Sequence, residues 1–464
     1  MQVNKYVRNV GRTHTATEAL AAFRAFPQWM WRNADVLDFV GWLQRHNATR
    51  APDAQAGFYG MDLYSLYPSI KAVLSFLKRA GQPELYRRAE LRYSGFMRYS
   101  EDDPHIYGAN ATFLGSCERQ ALAQLEEMIQ MSAAMRRAQR RDDIGAHPPS
   151  PPDGVPDLTQ DDDDTGAVDD DAVASPDTAA AGAGITSRDM LPGSDTAVAT
   201  GPPRQPPTGA RKRARQAITA VDGKGRVAAV DTWALEPDDG FVAEQNARVV
   251  TNAEAYYRAV FGRQDTSWNV RDHHMTETLG ALLDHLAVLN HLPEGTPSRV
   301  VVWAHNSHLG DARATSMADE GEVNVGQLCR ERWGDEQVAI LGFSTCMGTV
   351  TAAPKWDYPA QVAHLRPSHP GSWDDAFHAV GLPKFFLDLR NASPVLRRAL
   401  DEQRLQRAVG VVYRPQTELG SHYFYARPAR QFDGLFYFDD TRAVEALEPA
   451  AEVDTTEEDL LAGL

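Results

Sequence analysis

Apolar residues recur at intervals of three and four along several stretches of this chain, the spacing that gathers them on one face of a helix. Ala16 to Ala25 is rich in helix formers, Pro27 interrupts, and Val36, Phe39, Val40 and Leu43 then keep the helical period, so two helices are expected between residues 16 and 47. Trp29, Trp31 and Trp42 in this region read as core aromatics. GFYGMDLYSLYPSI, from Gly57 to Ile70, reads as a short strand, a loop carrying Asp62 and a helix that runs to Arg79, with Gly81 as its stop. Leu122, Leu125, Met128, Ile129 and Met131 predict a long amphipathic helix from Cys117 to about Arg141. Two more helices are expected over Glu244 to Phe261 and Ser267 to Leu289, the second marked by Met275, Leu279, Leu282, Leu283 and Leu286.

After these the period changes. Short apolar runs at Arg299 to Trp303, Val338 to Phe343, Ala408 to Tyr413 and Leu435 to Phe438 read as strands that alternate with helices or loops. That order predicts an α/β fold, a mostly parallel sheet flanked by helices.

Composition divides the chain. From residue 145 to 230 there are Pro, Gly, Ala, Ser and Asp with almost no large apolar side chain until well past residue 200. Such a segment cannot bury enough surface to offset its chain entropy, so a long disordered insertion is expected. Its acidic half, Asp153 to Asp177, precedes a basic one, Arg204 to Arg215, and the pattern reads as a solvated insertion. The expected organisation is therefore 1–144 and 231–445 as two parts of one folded domain, 145–230 as the insertion, and 446–464 as an acidic tail.

The 464 residues carry a net charge of −16, which argues against nucleic acid as a partner because attraction to phosphate needs a basic face. No apolar run approaches the ~20 residues that span a bilayer, so no membrane partner is expected. Cys117, Cys329 and Cys346 are too few and too scattered for a disulfide framework or a zinc knuckle, and the first residues hold no apolar signal core. An intracellular, cytoplasmic setting is the expectation that follows.

Candidate chemistry gathers in VVVWAHNSHLGDARAT, from Val300 to Thr315. In an α/β sheet, ligands bind beyond the carboxyl ends of strands, and RVVVW runs straight into AHNSH at such an end. His305 is placed at the strand tip, where an imidazole titrating near neutral pH suits proton transfer. HNSH is not a metal motif, since it lacks the glutamate and the helical i, i+4 spacing of HExxH. Arg271 and Asp272 begin a helix together, and Arg271 is suited to clamp a carboxylate or a developing oxyanion. Neither a GxSxG elbow nor a Walker A loop nor a GxGxxG turn occurs in the folded parts, which weakens the serine-hydrolase, nucleotide-hydrolase and dinucleotide readings.

WAHNSHLGDARAT, FPQWMWRN, GFYGMDLYSL, EQNARVVTNAEAYYR and SWNVRDHHMTET resemble, in order, stretches of the erythromycin esterase family, over roughly residues 1 to 140 and 235 to 445. The resemblance implies an α/β hydrolase with a helical excursion that opens a small-molecule ester by water attack without an obligatory cofactor. His305 matches the histidine of the family's WxHN motif and Arg271 the arginine of its WNxRD motif, which implies catalytic roles for both, with Asn306, His308 and Asp62 expected nearby as substrate-binding residues. The family's water-activating histidine lies in a Gly-Glu-x-x-His-Gly motif that does not occur in this sequence, and His14 reads as a surface residue rather than a replacement. The chain is therefore expected to be a weak or inactive esterase, a truncated gene product or a member that has lost half its site. A noncatalytic binding protein on the same scaffold is the alternative.

Overall fold

The computed structural model describes residues 2–10, 13–24, 26–99, 104–146, 218–221, 227–230, 235, 238–262, 267–293 and 295–447; of 112–114, 138–146, 218–221 and 227–230 it describes the backbone alone. Two units divide the chain, one made of Met1–Asp142 with Ala217–Leu464 and the other of Asp143–Gln216. The sheet and the candidate site belong to the first. The expected insertion, 145–230, lies outside the described residues except for its first two positions, which end a helix, and the strands β1 (Ile218–Val221) and β2 (Val227–Val230), which pair antiparallel.

The helical periods set the first half of the fold. Ala34–Ala48 is a helix because Asn33 caps it, its side chain accepting from the Val36 amide at 2.9 Å, and its Val36, Val40 and Leu43 turn inward. The helix Leu66–Arg79 buries Leu66, Ile70, Val73 and Leu77, and the chain leaves it through Gly81 at φ 66°, a left-handed turn that only glycine adopts cheaply. Against it packs the helix Asp239–Phe261, and its Val250, Ala253 and Tyr257 join Met128, Met131 and Met135 of Glu118–Ala146 in the largest apolar cluster among the described residues. Of the tryptophans, Trp31 packs against the cluster of Val36, Val40 and Leu43, and Trp42 departs from expectation. Trp42 is half exposed and stacks on His46, while Trp29 and Trp31 are only partly buried. The indole of Trp29 donates to the Thr351 carbonyl, 3.2 Å away.

The main sheet has four strands in the order β4 (Gln361–Leu365), β3 (Leu341–Ala352), β8 (Gly434–Thr441) and β5 (Lys384–Asp388). Only β3 and β8 run parallel; β4 against β3 and β5 against β8 are antiparallel, so the expected mostly parallel sheet is instead small and mixed. The eight-residue link from Ala353 to Ala360 is too short for a crossover and folds the chain directly back onto β3. A further antiparallel pair is formed by β6 (Arg404–Arg407) and β7 (Tyr423–Ala426). One face of β3 and β8, with Cys346, Leu435 and Tyr437, packs under Trp373 and Phe377 of the helix Trp373–His378.

Two of the four expected strands are present and two are not. Val338–Phe343 begins β3 late, at Leu341, and Leu435–Phe438 lies within β8. Ala408–Tyr413 falls after β6 and forms no strand, making one isolated bridge, Val412 to Ala353, among the described residues. Arg299–Trp303 keeps the alternation of a strand, with Val300 and Val302 turned toward Met275, Leu279 and Val325, yet it has no ladder partner among the described residues and leaves Val301 93% exposed. The short strand expected after Gly57 is likewise a loop. Among the described residues no helix is long and apolar enough to cross a membrane.

Candidate functional site

The site is built where the helix Ser267–Leu289 meets the turn that follows Trp303. His305 caps the short helix Asn306–Leu309, and Asn324 fastens that turn from below by donating to the carbonyls of Ser307, at 2.8 Å, and Gly310. Gly326 lets the helix Val325–Trp333 come this close: a Cβ there would lie 1.7 Å from the Leu309 carbonyl oxygen.

Arg271 and Asp272 are consecutive on the helix, so their side chains leave it about 100° apart, and they reach the same imidazole from its two ends. Asp272 is fully buried and accepts from His308 Nδ1 at 2.9 Å, while its Oδ1 also takes the Val325 amide at 3.1 Å. With the proton on Nδ1, the lone pair of His308 Nε2 faces Arg271 Nη1 at 3.3 Å. The indole of Trp268 lies flat on the His308 ring, 4.3 Å between centroids and 5° from parallel, and fixes its plane.

Arg271 is held just as firmly. Its Nε and Nη2 donate to the two oxygens of Asp62 at 2.9 and 2.8 Å, a bidentate fork, and its guanidinium lies 4.8 Å from the centre of the Tyr64 ring. Loss of water around the Asp62 carboxyl raises its pKa, but the Arg271 hydrogen bonds and charge more than reverse that and hold it below the ordinary aspartate value. Desolvation works against the Arg271 cation too, and Asp62 outweighs it, leaving the guanidinium harder to deprotonate than usual. Three of the five N–H bonds of Arg271 are directed to Asp62 and His308.

Asp62, Arg271 and His308 thus meet in one hydrogen-bonded chain that ends on Asp272, whereas His305 stands outside it. His305 Nδ1 takes the Ser307 amide at 3.2 Å and lies 2.8 Å from the Ser307 hydroxyl, so the ring proton is on Nε2, which donates to the Val409 carbonyl at 3.0 Å. Burial, then the neighbouring His308, lowers its pKa to about 4, and the ring is neutral near pH 7. Asn306 faces the sheet: its amide donates to the Phe343 carbonyl at 2.6 Å and accepts the Phe343 amide at 3.2 Å, taking the place of a neighbouring strand at the open edge of β3. His14 is exposed at the start of Ala16–Leu20, beside the Thr15–Glu18 capping box.

Sequence reasoning missed Tyr64 and Trp268, and it read Asp272 only as a partner of Arg271. The WNxRD stretch held two of these three; only geometry shows that the aspartate serves the histidine. A cleft of about 610 Å³ opens elsewhere, lined by Arg136, Glu244, Arg248, Glu277, Asp284 and His285. Glu277, Asp284 and Val288 lie on the opposite face of the same helix from Asp272 and Met275, and no candidate residue lines that cleft.

The erythromycin esterase family model matches residues 1–147 and 170–441. Among solved structures, a protein from Bacillus cereus is similar over 97% of this chain and 79% of its own, at 15% identity and a TM-score of 0.55. A succinoglycan biosynthesis protein is similar over 96% and 78%, at 13% identity and a TM-score of 0.50. An erythromycin esterase mutant in its open conformation matches over 95% and 82%, at 10% identity and a TM-score of 0.45. The first two likenesses speak to the fold alone. The family model carries the assignment because it spans both halves of the folded chain, including the motifs that supply Arg271 and His308: this protein belongs to the erythromycin esterase family.

Proposed function

We propose that this chain is a hydrolase of small-molecule esters in which Arg271 stabilises the charge that develops on the attacked carboxyl and His308, rather than His305, accepts the proton of water. The observation that carries this reading is the orientation of His308: a buried carboxylate holds Nδ1–H, so Nε2 presents its lone pair, the arrangement of a general base. Arg271 Nη1 caps that lone pair at 3.3 Å, a long contact. A substrate oxygen that draws the guanidinium toward itself would release Nε2 for water at the same moment. Both nitrogens of His305 are already committed to Ser307 and Val409, which suits it to shaping the turn. Asp62 positions Arg271, and Asn306 anchors the turn to β3.

The test is hydrolysis of p-nitrophenyl acetate and butyrate by the full chain. Slow turnover is expected, with His308→Gln lowering kcat by about 10² or more, the usual worth of a general base, and His305→Asn leaving kcat within a few-fold. Loss of activity in His305→Asn with full activity in His308→Gln would overturn the assignment. Turnover no faster than the uncatalysed reaction favours the second reading, a noncatalytic binding protein, which the three protein-directed N–H bonds of Arg271 also suit.

A further inference from the structure

We propose that Cys346, His378 and Asp439 form a binding site for a borderline-soft divalent cation of the zinc type, separate from the Arg271 and His308 centre. One ligand atom from each of the three residues lies within 4.8 Å of the other two. Thiolate, imidazole and carboxylate are the donors zinc prefers, and three protein donors leave a fourth tetrahedral position for water or a ligand.

The fold builds this cluster from three distant points of the sequence. In the parallel pairing of β3 with β8, Thr345 stands against Phe438 and Met347 against Asp440, so Cys346 and Asp439 are neighbours across the ladder. They point to the same face as Tyr437, because alternate residues of a strand share a face. His378 comes from the last position of the helix Trp373–His378, and that helix is fixed by the Ser372 cap and by burial of Trp373 and Phe377 against the sheet. All three donors therefore sit on rigid elements, as a preorganised site requires.

The surroundings suit a cation as well. Thiolate and carboxylate together match the charge of a divalent ion, with the thiol proton released as the metal binds. Cys346 Sγ lies 3.1 Å from the Ser368 hydroxyl, and the Tyr437 hydroxyl donates to Asp439 Oδ1 at 2.6 Å, so two of the ligands already have a supporting partner. His378 Nδ1 and Asp439 Oδ1 are hydrogen-bonded at 2.6 Å, and a metal would replace the proton between them. Tetrahedral zinc places its ligand atoms about 3.3 to 3.8 Å apart, so side-chain rotations on the order of 1 Å close the site. Cys346 is 2% exposed, but the His378 and Asp439 side chains are 45% and 28% exposed, which opens an entry path on their side. No sequence motif announces the cluster, since 32 and 61 positions separate the successive ligands (378 − 346 and 439 − 378).

The experiment is a titration of the chelator-treated full chain with Co²⁺, followed by the thiolate-to-cobalt charge-transfer band in the near ultraviolet. One equivalent per chain should develop the band, and Zn²⁺ should bleach it. Cys346→Ser should abolish it while Cys117→Ser leaves it unchanged, which separates this site from the partly accessible Cys117 thiol. Because Cys346 is buried and its variant can fail to fold, His378→Gln supplies an independent test on a half-exposed side chain, with a loss of affinity of at least about tenfold expected. No charge-transfer band in the parent chain, a band that survives Cys346→Ser, or unchanged affinity in His378→Gln overturns the proposal.

Discussion

Acid should destabilise this protein from a higher pH than its carboxylates alone would set, and His305 is the residue through which this is best measured. Its folded pKa is lowered from 6.5 to about 4 by burial, by the neighbouring His308 and against the small opposing pull of the Val409 carbonyl. The sign follows from linkage: the unfolded chain takes up this proton first, so the stabilisation is complete above pH 6.5 and is lost as pH falls from there to about 4. A shift of that size corresponds to about 3 kcal/mol at most, at 1.36 kcal/mol for each pH unit. The residue keeps some exposure to solvent, so the measured figure should fall below that ceiling. His274, lowered to about 4 by its burial in the helix Ser267–Leu289, acts in the same window. The carboxyls of Glu418, Glu322 and Asp374 act against both, because burial raises their pKa values and the folded state binds those protons first. The difference between the parent chain and His305→Asn isolates the one term, since asparagine is itself a good helix cap. Urea midpoints at pH 7, 6, 5 and 4.5 should show the parent losing stability more steeply than the variant below pH 6.5. Parallel curves, or a His305 proton resonance titrating near pH 6.5, would refute the reasoning.

Two further substitutions test the frame of the site. Asp272→Ala orphans the His308 Nδ1–H and the Val325 amide inside the protein, and at about 1–3 kcal/mol for each buried unpaired donor the urea midpoint should fall well below that of Asp272→Asn, whose amide oxygen still serves one of them; equal midpoints would sink the assignment. Asn306→Asp sets a carboxylate oxygen against the Phe343 carbonyl, now contacted by the amide at 2.6 Å, so a loss of about 1–2 kcal/mol is expected in thermal unfolding, and an unchanged midpoint would show that this clip does not hold the turn.

The helices were legible because their signals are local. Leu66, Ile70, Val73 and Leu77 declare one face without reference to anything beyond the helix, and Gly81 marks its end. Strands are a different matter, because a strand exists only with a partner. Val300, Val301, Val302 and Trp303 have the composition and alternation of one, but Val301 stands 93% exposed and the segment has no ladder among the described residues. Sheet direction was harder still, since the run of strands looked the same whether the chain crossed over or turned back at Ala353. At the site, the sequence drew attention to Arg271, His305, Asn306, His308 and Asp62. It could not rank the two histidines, because their difference lies in partners far along the chain: Val409 for one, Asp272 for the other.

That difference decides what each imidazole can do. A histidine whose Nδ1 accepts from its own turn and whose Nε2 donates to a carbonyl has no lone pair to offer, however suitable its place at the end of an extended segment. Three residues later the polarity of the ring is reversed. His308 gives its proton to a carboxylate that is 0% exposed, and the free pair points at a guanidinium already neutralised by Asp62. Because Arg271 and Asp272 are adjacent, one turn of helix fixes both ends of the ring, and the tautomer is set before any ligand arrives. Exchanging the order of these two residues would keep the composition and the net charge yet set the opposite tautomer, with Nε2–H toward the carboxylate and the Nδ1 lone pair toward the guanidinium. The chemistry of this site therefore resides in the sequence of a dipeptide as much as in the identity of the histidine it surrounds.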